Sequence, residues 1–290
     1  TFWRQFTTLP RLPERLLIEY ELFPALPASF ELKFLRRRRY VLNFDDNVWE
    51  KYASVPRLAG KYDELIRRAD GVIVANDFLL ERVAALNSNA IKIPTVVDLD
   101  AYKPAGAEKF PRFTVGWIGT PVTYSYLEQS ADALRAMSRA VDFELLVIAR
   151  RDLESRAIPG VSMRFADWSA ATEAGLLLQC HAGIMPLTDD PFSRGKSAYK
   201  LIQYQAAGLP AIASSVGENV RVVRHGVTGF LADTPAEWAE ALKLLASDSG
   251  LRTAMGAAAH HAAYDYSLQK YGPVEAAFLR SALNVQPQAI

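Results

Sequence analysis

Residues 182–233 read AGIMPLTDDPFSRGKSAYKLIQYQAAGLPAIASSVGENVRVVRHGVTGFLAD, and this stretch decides the fold. Its apolar start, Gly183–Leu187, predicts a buried strand, and a polar loop with several basic residues follows. The next run predicts a helix that ends at Gly208, and Ala211–Ser215 predicts a second strand. Strand, loop, helix and strand in this order form a parallel βαβ unit. Such a unit presents backbone N–H groups and cations at a helix start, an arrangement that holds phosphate groups.

The length and composition of the chain are typical of a globular protein. A chain of 290 residues suits two α/β domains. The formal net charge of +1 provides no global field that would favour nucleic acid as a partner. The single cysteine, Cys180, excludes an internal disulfide, and its place at a helix end favours a small core residue over a nucleophile. No apolar run approaches the roughly 20 residues of a membrane span, so we expect a cytoplasmic protein.

The amino-terminal part of the chain departs from the usual start of an α/β domain. Residues 1–35 contain several prolines and no clear opening strand, so the first predicted strand is Tyr40–Phe44 and the domain is expected to be incomplete. A polar linker with glycine and prolines at residues 105–111 is the best domain boundary. The predicted divisions are an amino-terminal domain at 1–106, a second domain at 107–272 and a helix at 273–290 that packs back toward the first domain.

The second half of the chain alternates regularly between strands and helices. Phe113–Ile118 predicts a strand, Tyr124–Met137 a helix and Phe143–Ile148 the next strand. Strands of continuous apolar residues, each followed by an amphipathic helix, indicate a parallel sheet that is covered on both faces. Two such domains are expected to leave a cleft at the carboxyl ends of their strands, where ligands of open α/β sheets bind.

Several motifs, in their order along the chain, resemble those of one known family. They are VLNFDDNVW (41–49), VIVANDFLLERV (72–83), IKIPTVVDLDAYKP (91–104), FTVGWIGTPVTYSYLE (113–128) and KLIQYQAAGLPAIASSVGENVRVVRHGVTGFLAD (200–233). Together they resemble the family-4-type glycosyltransferases of the GT-B fold, as found in bacterial polysaccharide biosynthesis. The resemblance implies an α/β protein with two Rossmann-like domains whose parallel sheets face a central cleft. It also implies transfer of a sugar from a nucleotide donor, usually with retention, with neither a cofactor nor a bound metal.

Within this family framework, the basic loop and helix become a donor-diphosphate site. Lys196, Lys200 and Gln203 are spaced i, i+4 and i+7, which predicts that they share one face of a helix. Two cations would then meet the diphosphate that gains charge as it departs, while the amide binds a ribose hydroxyl. Arg194 and Gly195 precede them in the same loop, and Lys200 is the predicted catalytic cation. The alternative is that both lysines are solvated helix charges.

Two positions depart from the family pattern. Its members commonly carry two glutamates eight positions apart, the second directly before the Ala-x-Ala-x-Gly stretch. In this chain the corresponding residues are Gly195 and Gln203, so neither carboxylate is present. Gln203 retains the capacity to bind ribose hydroxyls, and the Gly195 backbone N–H is a donor.

The turn after the first strand of the second domain supplies further candidates for donor binding. Gly116 and Gly119 permit close approach of the backbone to a phosphate or sugar, and Thr120 is a candidate helix cap. A simple strand-to-helix turn would need the same glycines. Arg150 follows the next strand and is placed to contact the base or the phosphate, with surface charge as the alternative.

Acidic and basic residues flank the first predicted strand. Asp45 and Asp46 follow its carboxyl end. Asp46 is the predicted catalytic residue, in contact with the acceptor or the donor sugar, with a turn cap as the alternative. No third ligand completes a metal site with them. The run Arg36–Arg39 leaves peripheral contact with the inner face of a membrane open, although such runs are more often solvated.

Three functions remain open from the sequence. The leading one is a retaining glycosyltransferase that acts on a glycan or lipid-linked acceptor. A nucleotide-sugar epimerase of the same architecture is the second, although its acid and base residues have no candidates. A non-catalytic module that binds nucleotide sugars is the third, because the two family carboxylates are absent. The base, the sugar, the acceptor and the oligomeric state are not specified by the sequence.

Overall fold

The computed structural model describes residues 13–104 and 106–285. These residues form two compact units. Within the described ranges, the first unit comprises residues 13–95, 194–197 and 271–285, and the second comprises residues 96–193 and 198–270. Each unit is built around its own parallel sheet.

The first unit contains a four-stranded sheet in which strand order follows chain order, β1-β2-β3-β4. Its strands are β1 (Arg15–Glu19), β2 (Arg39–Phe44), β3 (Gly71–Val74) and β4 (Ala90–Lys92). Its helices are α1 (Ala28–Leu35), α2 (Lys61–Arg68) and α3 (Asp77–Ala84), with a 3₁₀ turn at Val48–Tyr52. All strand pairs are parallel, as the alternation of strand and helix predicts.

Both faces of this sheet are buried, against different partners. Leu42 and Val72 point to the face covered by the helices between the strands. Val41 and Ile73, one residue away in each strand, point to the opposite face and pack with residues near 278–283. Successive side chains of a strand point to opposite faces, so continuous apolar strands need a cover on each side. The helix at the carboxyl end of the chain supplies the second cover.

The expectation that Tyr40–Phe44 is the first strand is wrong. The stretch 15–19 already forms β1 and pairs in parallel with β2 along its whole length. It lies at the edge of the sheet, and four of its five side chains are exposed or half-buried, Leu17 being 42% exposed. An edge strand of this kind lacks the continuous buried pattern by which the other strands were predicted.

A buried cluster of charged residues holds α1, and the segment between β1 and α1, against α2. The ammonium of Lys61, with a fully buried side chain, pairs with both Glu21 and Glu31, which are also buried. The hydroxyls of Tyr52 and Tyr62 each donate to Glu21 at 2.9 Å. Burial raises the pKa of Glu21, but hydrogen bonds from lysines outweigh it and hold that pKa below its usual value.

The second unit contains a six-stranded parallel sheet in the order β10-β9-β8-β5-β6-β7. Its strands are β5 (Thr114–Ile118), β6 (Glu144–Ala149), β7 (Met163–Asp167), β8 (Ala182–Met185), β9 (Ala211–Ala213) and β10 (Gly229–Leu231). The chain builds outward from β5 through β6 and β7, and then from β8 through β9 and β10 on the other side. The point at which this order reverses lies between β5 and β8. Open α/β sheets bind ligands at such a point, outside the carboxyl ends of the strands.

Helices cover both faces of this sheet. They are α4 (Pro121–Gln129), α5 (Ala131–Ala140), α6 (Glu173–Gln179), α7 (Pro191–Arg194), α8 (Tyr199–Ala206), α9 (Asn219–Val222), α10 (Pro235–Ser247) and α11 (Ser249–Ala263). The last helix, α12 (Leu268–Ala282), follows a 3₁₀ turn at Tyr264–Tyr266 and continues into the first unit. The single helix predicted at Tyr124–Met137 is wrong, because Ser130 ends α4 and begins α5. Among the described residues, no helix has both the length and the apolarity to cross a membrane.

Candidate functional site

The reversal point in the second unit brings together the turn after β5 and the start of α4. A Cβ on Gly119 would collide with the Trp117 ring and with Thr123 Oγ1, and one on Gly116 would lie 3.0 Å from Cys180 Sγ. Both glycines are therefore required by packing within the protein. Cys180 is fully buried, and burial raises its thiol pKa to about 12, so it is the core residue that the sequence indicated.

Thr120 caps α4, as predicted. Its Oγ1 accepts from the Thr123 N–H at 3.4 Å, and Thr123 Oγ1 accepts from the Thr120 N–H at 3.0 Å. This reciprocal pair is a capping box, and Pro121 occupies the first turn. The helix therefore starts directly after β5, with its amino-terminal end at the reversal point.

The prediction that Lys196, Lys200 and Gln203 share one helix face is wrong for Lys196. Helix α8 begins at Tyr199, because Ala198 adopts a left-handed conformation with φ of 55°. Lys196 precedes that break and belongs to the first unit. Lys200 and Gln203 lie in α8, three residues apart, and so remain on one face.

Lys200 and Gln203 are both held against aromatic residues of the second unit. The Lys200 ammonium lies 5.6 Å from the centroid of the buried Trp117 ring. Gln203 is 3% exposed, and its amide donates to the Tyr102 hydroxyl at 3.4 Å. Burial raises the pKa of Tyr102, which keeps that hydroxyl protonated. The α8 face thus carries an amide and a cation at fixed positions.

The segment 194–197 is held within the first unit by two asparagines. Asn76 donates from Nδ2 to the carbonyl oxygens of Gly195 and Lys196, at 3.0 and 3.2 Å. A Cβ on Gly195 would lie 2.5 Å from the Asn47 Cβ and 3.2 Å from its backbone nitrogen. Lys196 is 8% exposed. The contact of Asn76 with these carbonyls was missed by the sequence analysis because it joins residues far apart in the chain.

Asp45 and Asp46 lie at the carboxyl end of β2, as predicted. Asp45 Oδ1 is buried and has no hydrogen-bond partner among the described residues. Burial and the neighbouring Asp46 raise the Asp45 pKa to about 6, while the Lys196 ammonium acts in the opposite direction. The structure therefore singles out Asp45, whereas the sequence favoured Asp46.

The two candidate arginines are exposed. Arg150 follows β6, as expected, and its Nη2 pairs with Asp152 Oδ2 at 2.6 Å, with 72% of its side chain accessible. Arg194 ends the short helix α7. Within the part of the chain that the structure describes, no group of three or more His, Cys, Asp or Glu side chains is placed to hold a metal ion.

Comparison with known proteins identifies a family that part of the chain resembles. Residues 112–248 match the family model described as "Glycosyl transferases group 1". These residues make up just under half of the chain, and they are similar to the group 1 glycosyltransferases. The matched region begins just before β5 and ends in the turn after α10, so it contains the reversal point, Thr120 and the whole of α8.

Curated proteins that are similar to parts of this chain include D-inositol 3-phosphate glycosyltransferases. The protein of Salinispora arenicola is 37% identical over 87 residues, which cover 27% of this chain and 19% of the relative. The protein of Paenarthrobacter aurescens is 27% identical over 157 residues, 52% of this chain and 35% of the relative. The chain thus spans between 19% and 35% of the length of these two curated relatives.

Solved structures share the fold of this chain over most of its length. Sucrose-phosphate synthase from Thermosynechococcus elongatus superposes with a TM-score of 0.75 at 15% identity, over 98% of this chain and 78% of that one. HepE from Anabaena in complex with UDP-glucose gives a TM-score of 0.66 at 18% identity, over 86% and 74% of the two chains. With its two parallel sheets, this likeness establishes the GT-B fold.

Proposed function

We propose that this chain transfers a sugar, with retention and without a bound metal, from a nucleotide-diphosphate donor to a glycan or lipid-linked acceptor. The observation that carries the proposal is the α8 face at the reversal point, where Lys200 and Gln203 are fixed within the region that matches group 1 glycosyltransferases. HepE in complex with UDP-glucose supports a UDP sugar as the donor. In this proposal, residues 107–272 form the donor domain, residues 1–106 the acceptor-side domain, and residues 273–290 return to the latter.

The α8 face has the chemistry that a departing nucleoside diphosphate requires. Lys200 supplies a cation, and a fixed cation stabilises the charge that the diphosphate gains as the glycosidic bond breaks. Ala198 has no side-chain oxygen to cap the first turn of α8, whereas Thr120 caps α4 and Thr234 caps α10. The α8 start therefore retains its positive field for an anion. The Gln203 amide then hydrogen-bonds a ribose hydroxyl.

The remaining predicted residues take supporting roles in the proposal. Lys196 and the Gly195 backbone N–H contact the donor diphosphate, and Asp46 contacts the reacting sugar or the acceptor. Four further residues are proposed at the rim of the donor site: Gly116, Gly119, Thr120 and Arg150. Arg194 adds a cation on the same loop as Lys196.

Isothermal titration calorimetry with UDP tests the donor site. Lys200→Ala should weaken UDP binding by about 10- to 100-fold, because a charge-assisted contact contributes about 1.5–3 kcal/mol. Lys243→Ala removes an exposed lysine from α10 and is the matched control, for which we expect unchanged affinity. Equal affinities for the Lys200→Ala and wild-type proteins would refute the assignment of the diphosphate to α8.

Turnover separates this function from a second candidate, a module that binds nucleotide sugars without reacting them. That candidate is favoured by the absence of carboxylates at Gly195 and Gln203. Incubation with UDP-sugars should release UDP by hydrolysis or transfer, and proton NMR of a transfer product should show the anomeric configuration of the donor. Tight UDP binding with no release of UDP from any of the sugars would favour the module. An inverted product would refute retention.

A further inference from the structure

The strands β5 and β8 separate at the point where the strand order of the second sheet reverses. Their ladder ends at the pair formed by Gly116 and Gly183. Beyond this pair each strand continues for two residues, to Ile118 in β5 and to Met185 in β8. These ends pair outward instead, with β6 and with β9. Residues 117–118 and 184–185 therefore border a break in the ladder, which we call the β5–β8 gap.

The hydroxyl of Tyr204 bridges this gap. Tyr204 lies in α8 and is fully buried. Its hydroxyl donates to the Ile184 carbonyl at 3.0 Å and accepts from the Ile118 N–H at 3.3 Å. The two roles cannot be exchanged, because an N–H only donates and a carbonyl only accepts. Burial raises the pKa of Tyr204, so the hydroxyl keeps the proton that it donates. One side chain thus joins the two strands where their own ladder has ended.

The ring of Tyr204 is packed closely against the last pair of the ladder. A Cβ on Gly183 would lie 2.5 Å from two of its ring carbons. Because position 183 has no side chain, the ring can reach the gap, and its contact with the backbone there limits how far it can move toward β8. The position of the hydroxyl is therefore set by packing as well as by its two hydrogen bonds.

The end of β5 leads directly into the turn that begins α4. On the β6 side, the Gly119 N–H donates to a carbonyl of β6 at 3.1 Å. On the β8 side, the restraint is the bond from the Ile118 N–H to Tyr204. Lys200 lies one helical turn before Tyr204 in α8, with its ammonium 5.6 Å from the centroid of the Trp117 ring. The turn after β5 and the cation of α8 are thus linked through Tyr204.

We propose that Tyr204 is a positioning residue for the donor diphosphate, because its hydroxyl sets the spacing between the Gly119 turn and Lys200. This inference rests on the proposed function of the donor site, in which the diphosphate lies between that turn and the start of α8. Without the hydroxyl, the Ile118 N–H and the Ile184 carbonyl lose their shared partner, and buried polar groups in that state admit water or shift their strands. Binding groups at a less defined spacing hold a diphosphate less tightly.

Substitution of Tyr204 by phenylalanine removes the hydroxyl and keeps the ring. In calorimetric titrations of the full chain, Tyr204→Phe should weaken UDP binding by about tenfold. UMP lacks the second phosphate, so its binding should weaken by less than about threefold. A general loss of stability would lower the folded fraction and reduce both affinities by the same factor. An unchanged ratio of UDP to UMP affinity would therefore overturn the inference.

Tyr124 provides a matched control within the same unit. It is also fully buried, and its hydroxyl donates to the Arg156 carbonyl at 2.8 Å. Tyr124→Phe removes a tyrosine hydroxyl from a backbone carbonyl away from the β5–β8 gap, so the affinities for UDP and UMP should stay at their wild-type values. A fall of the affinity ratio in Tyr124→Phe equal to that in Tyr204→Phe would assign the effect to general loosening and overturn the inference.

Substitution of Gly183 by alanine tests the same restraint while the hydroxyl is retained. The added methyl group forces the Tyr204 ring away from β8, so Gly183→Ala should also lower the ratio of UDP to UMP affinity. This variant decides the question if Tyr204→Phe does not fold. A ratio that stays at the wild-type value in Gly183→Ala would contradict the positioning role.

A double mutant tests whether Tyr204 acts through the spacing to Lys200. Tyr204→Phe should weaken UDP binding less in a Lys200→Ala background than in the wild type, because the cation being positioned is already absent. Additive losses would overturn the inference. UDP binding by the wild type and its loss in Lys200→Ala test the donor site separately. Wild-type affinity in Tyr204→Phe would therefore refute the positioning role and leave the proposed function standing.

Discussion

The buried cluster around Lys61 offers the sharpest test of what stabilises the first unit. Replacing Lys61 by methionine keeps a side chain of similar length and removes its charge. In the native protein this ammonium pairs with Glu21 and Glu31 and donates to the Phe23 carbonyl at 2.6 Å. The exchange would leave two buried carboxylates, of which Glu31 is fully inaccessible, without their shared cation.

The expected loss of stability in Lys61→Met follows from the burial of the charges that remain. Removing one partner of a buried ion pair costs about 3–5 kcal/mol, because the remaining charge is left desolvated. Glu21 retains bonds from Lys51, Tyr52 and Tyr62, so we expect the lower end, about 3 kcal/mol. The pKa of Glu21 is held below its usual value in the folded state, so its stabilising contribution is present above the ordinary pKa and fades as the pH falls. The penalty of Lys61→Met should therefore be greatest near neutral pH and shrink toward pH 4.5.

Hydrogen exchange followed by mass spectrometry measures the loss of stability separately in each of the two units. Peptides from β2 and β3 of Lys61→Met should lose about 100-fold in protection at pH 7.5, corresponding to roughly 3 kcal/mol, while peptides from β5 and β6 should not change. Lys51→Met removes the exposed partner of the same Glu21 and should cost less than about 1 kcal/mol. Equal losses in the two variants, or a loss in Lys61→Met that does not depend on pH, would refute the reasoning.

Three further predictions concern stability elsewhere. The pKa of Asp45 is raised to about 6, so its ionised form destabilises the fold above that pH. Asp45→Asn should raise the free energy of unfolding by up to about 3 kcal/mol at pH 8 and by about half as much at pH 5, as measured by urea denaturation. A Cβ on Gly183 would lie 2.5 Å from ring carbons of the buried Tyr204, so Gly183→Ala should cost about 1–3 kcal/mol and, because Tyr204 lies in α8, also weaken UDP binding. Gly175 in α6 is exposed with open space around its Cβ position, so Gly175→Ala should raise the thermal midpoint, by an amount equivalent to about 0.5–1 kcal/mol. A midpoint that falls in Gly175→Ala, or stays constant in Gly183→Ala, would contradict these packing arguments.

The sequence predicted the second unit well because its strands are buried on both faces. After a polar first residue, β5 and β6 each consist of an unbroken run of apolar residues or glycine, and this pattern does not depend on distant contacts. β1 was missed for the opposite reason, since an edge strand with mostly accessible side chains carries little periodic signal. The order of the strands, and with it the reversal point, is decided by pairing between distant segments and was not predicted.

The candidate site shows the same limit at the level of single residues. The periodicity of Lys196, Lys200 and Gln203 predicted one continuous helix face. Ala198 interrupts it in a left-handed conformation that alanine rarely adopts, so no glycine marked the break. The cap at Thr120 was predicted because it is local, whereas the bonds of Asn76 to residues 195 and 196 depend on tertiary packing that no local pattern encodes.

Because the chain is synthesised from its amino end, the two covers of the first sheet become available at different times. The ribosome completes β1 to β4 early, but Val41 and Ile73 must wait for α12, which leaves the ribosome after the whole second unit. Phe278 and Ala282 of α12 pack against Gly71. A Cβ at position 71 would lie 2.8 Å from Phe278 Cζ and 3.1 Å from Ala282 Cβ, so a larger residue does not fit there. We therefore expect the second unit to mature first during translation, while a nascent apolar surface remains exposed to chaperones until the carboxyl-terminal helix arrives.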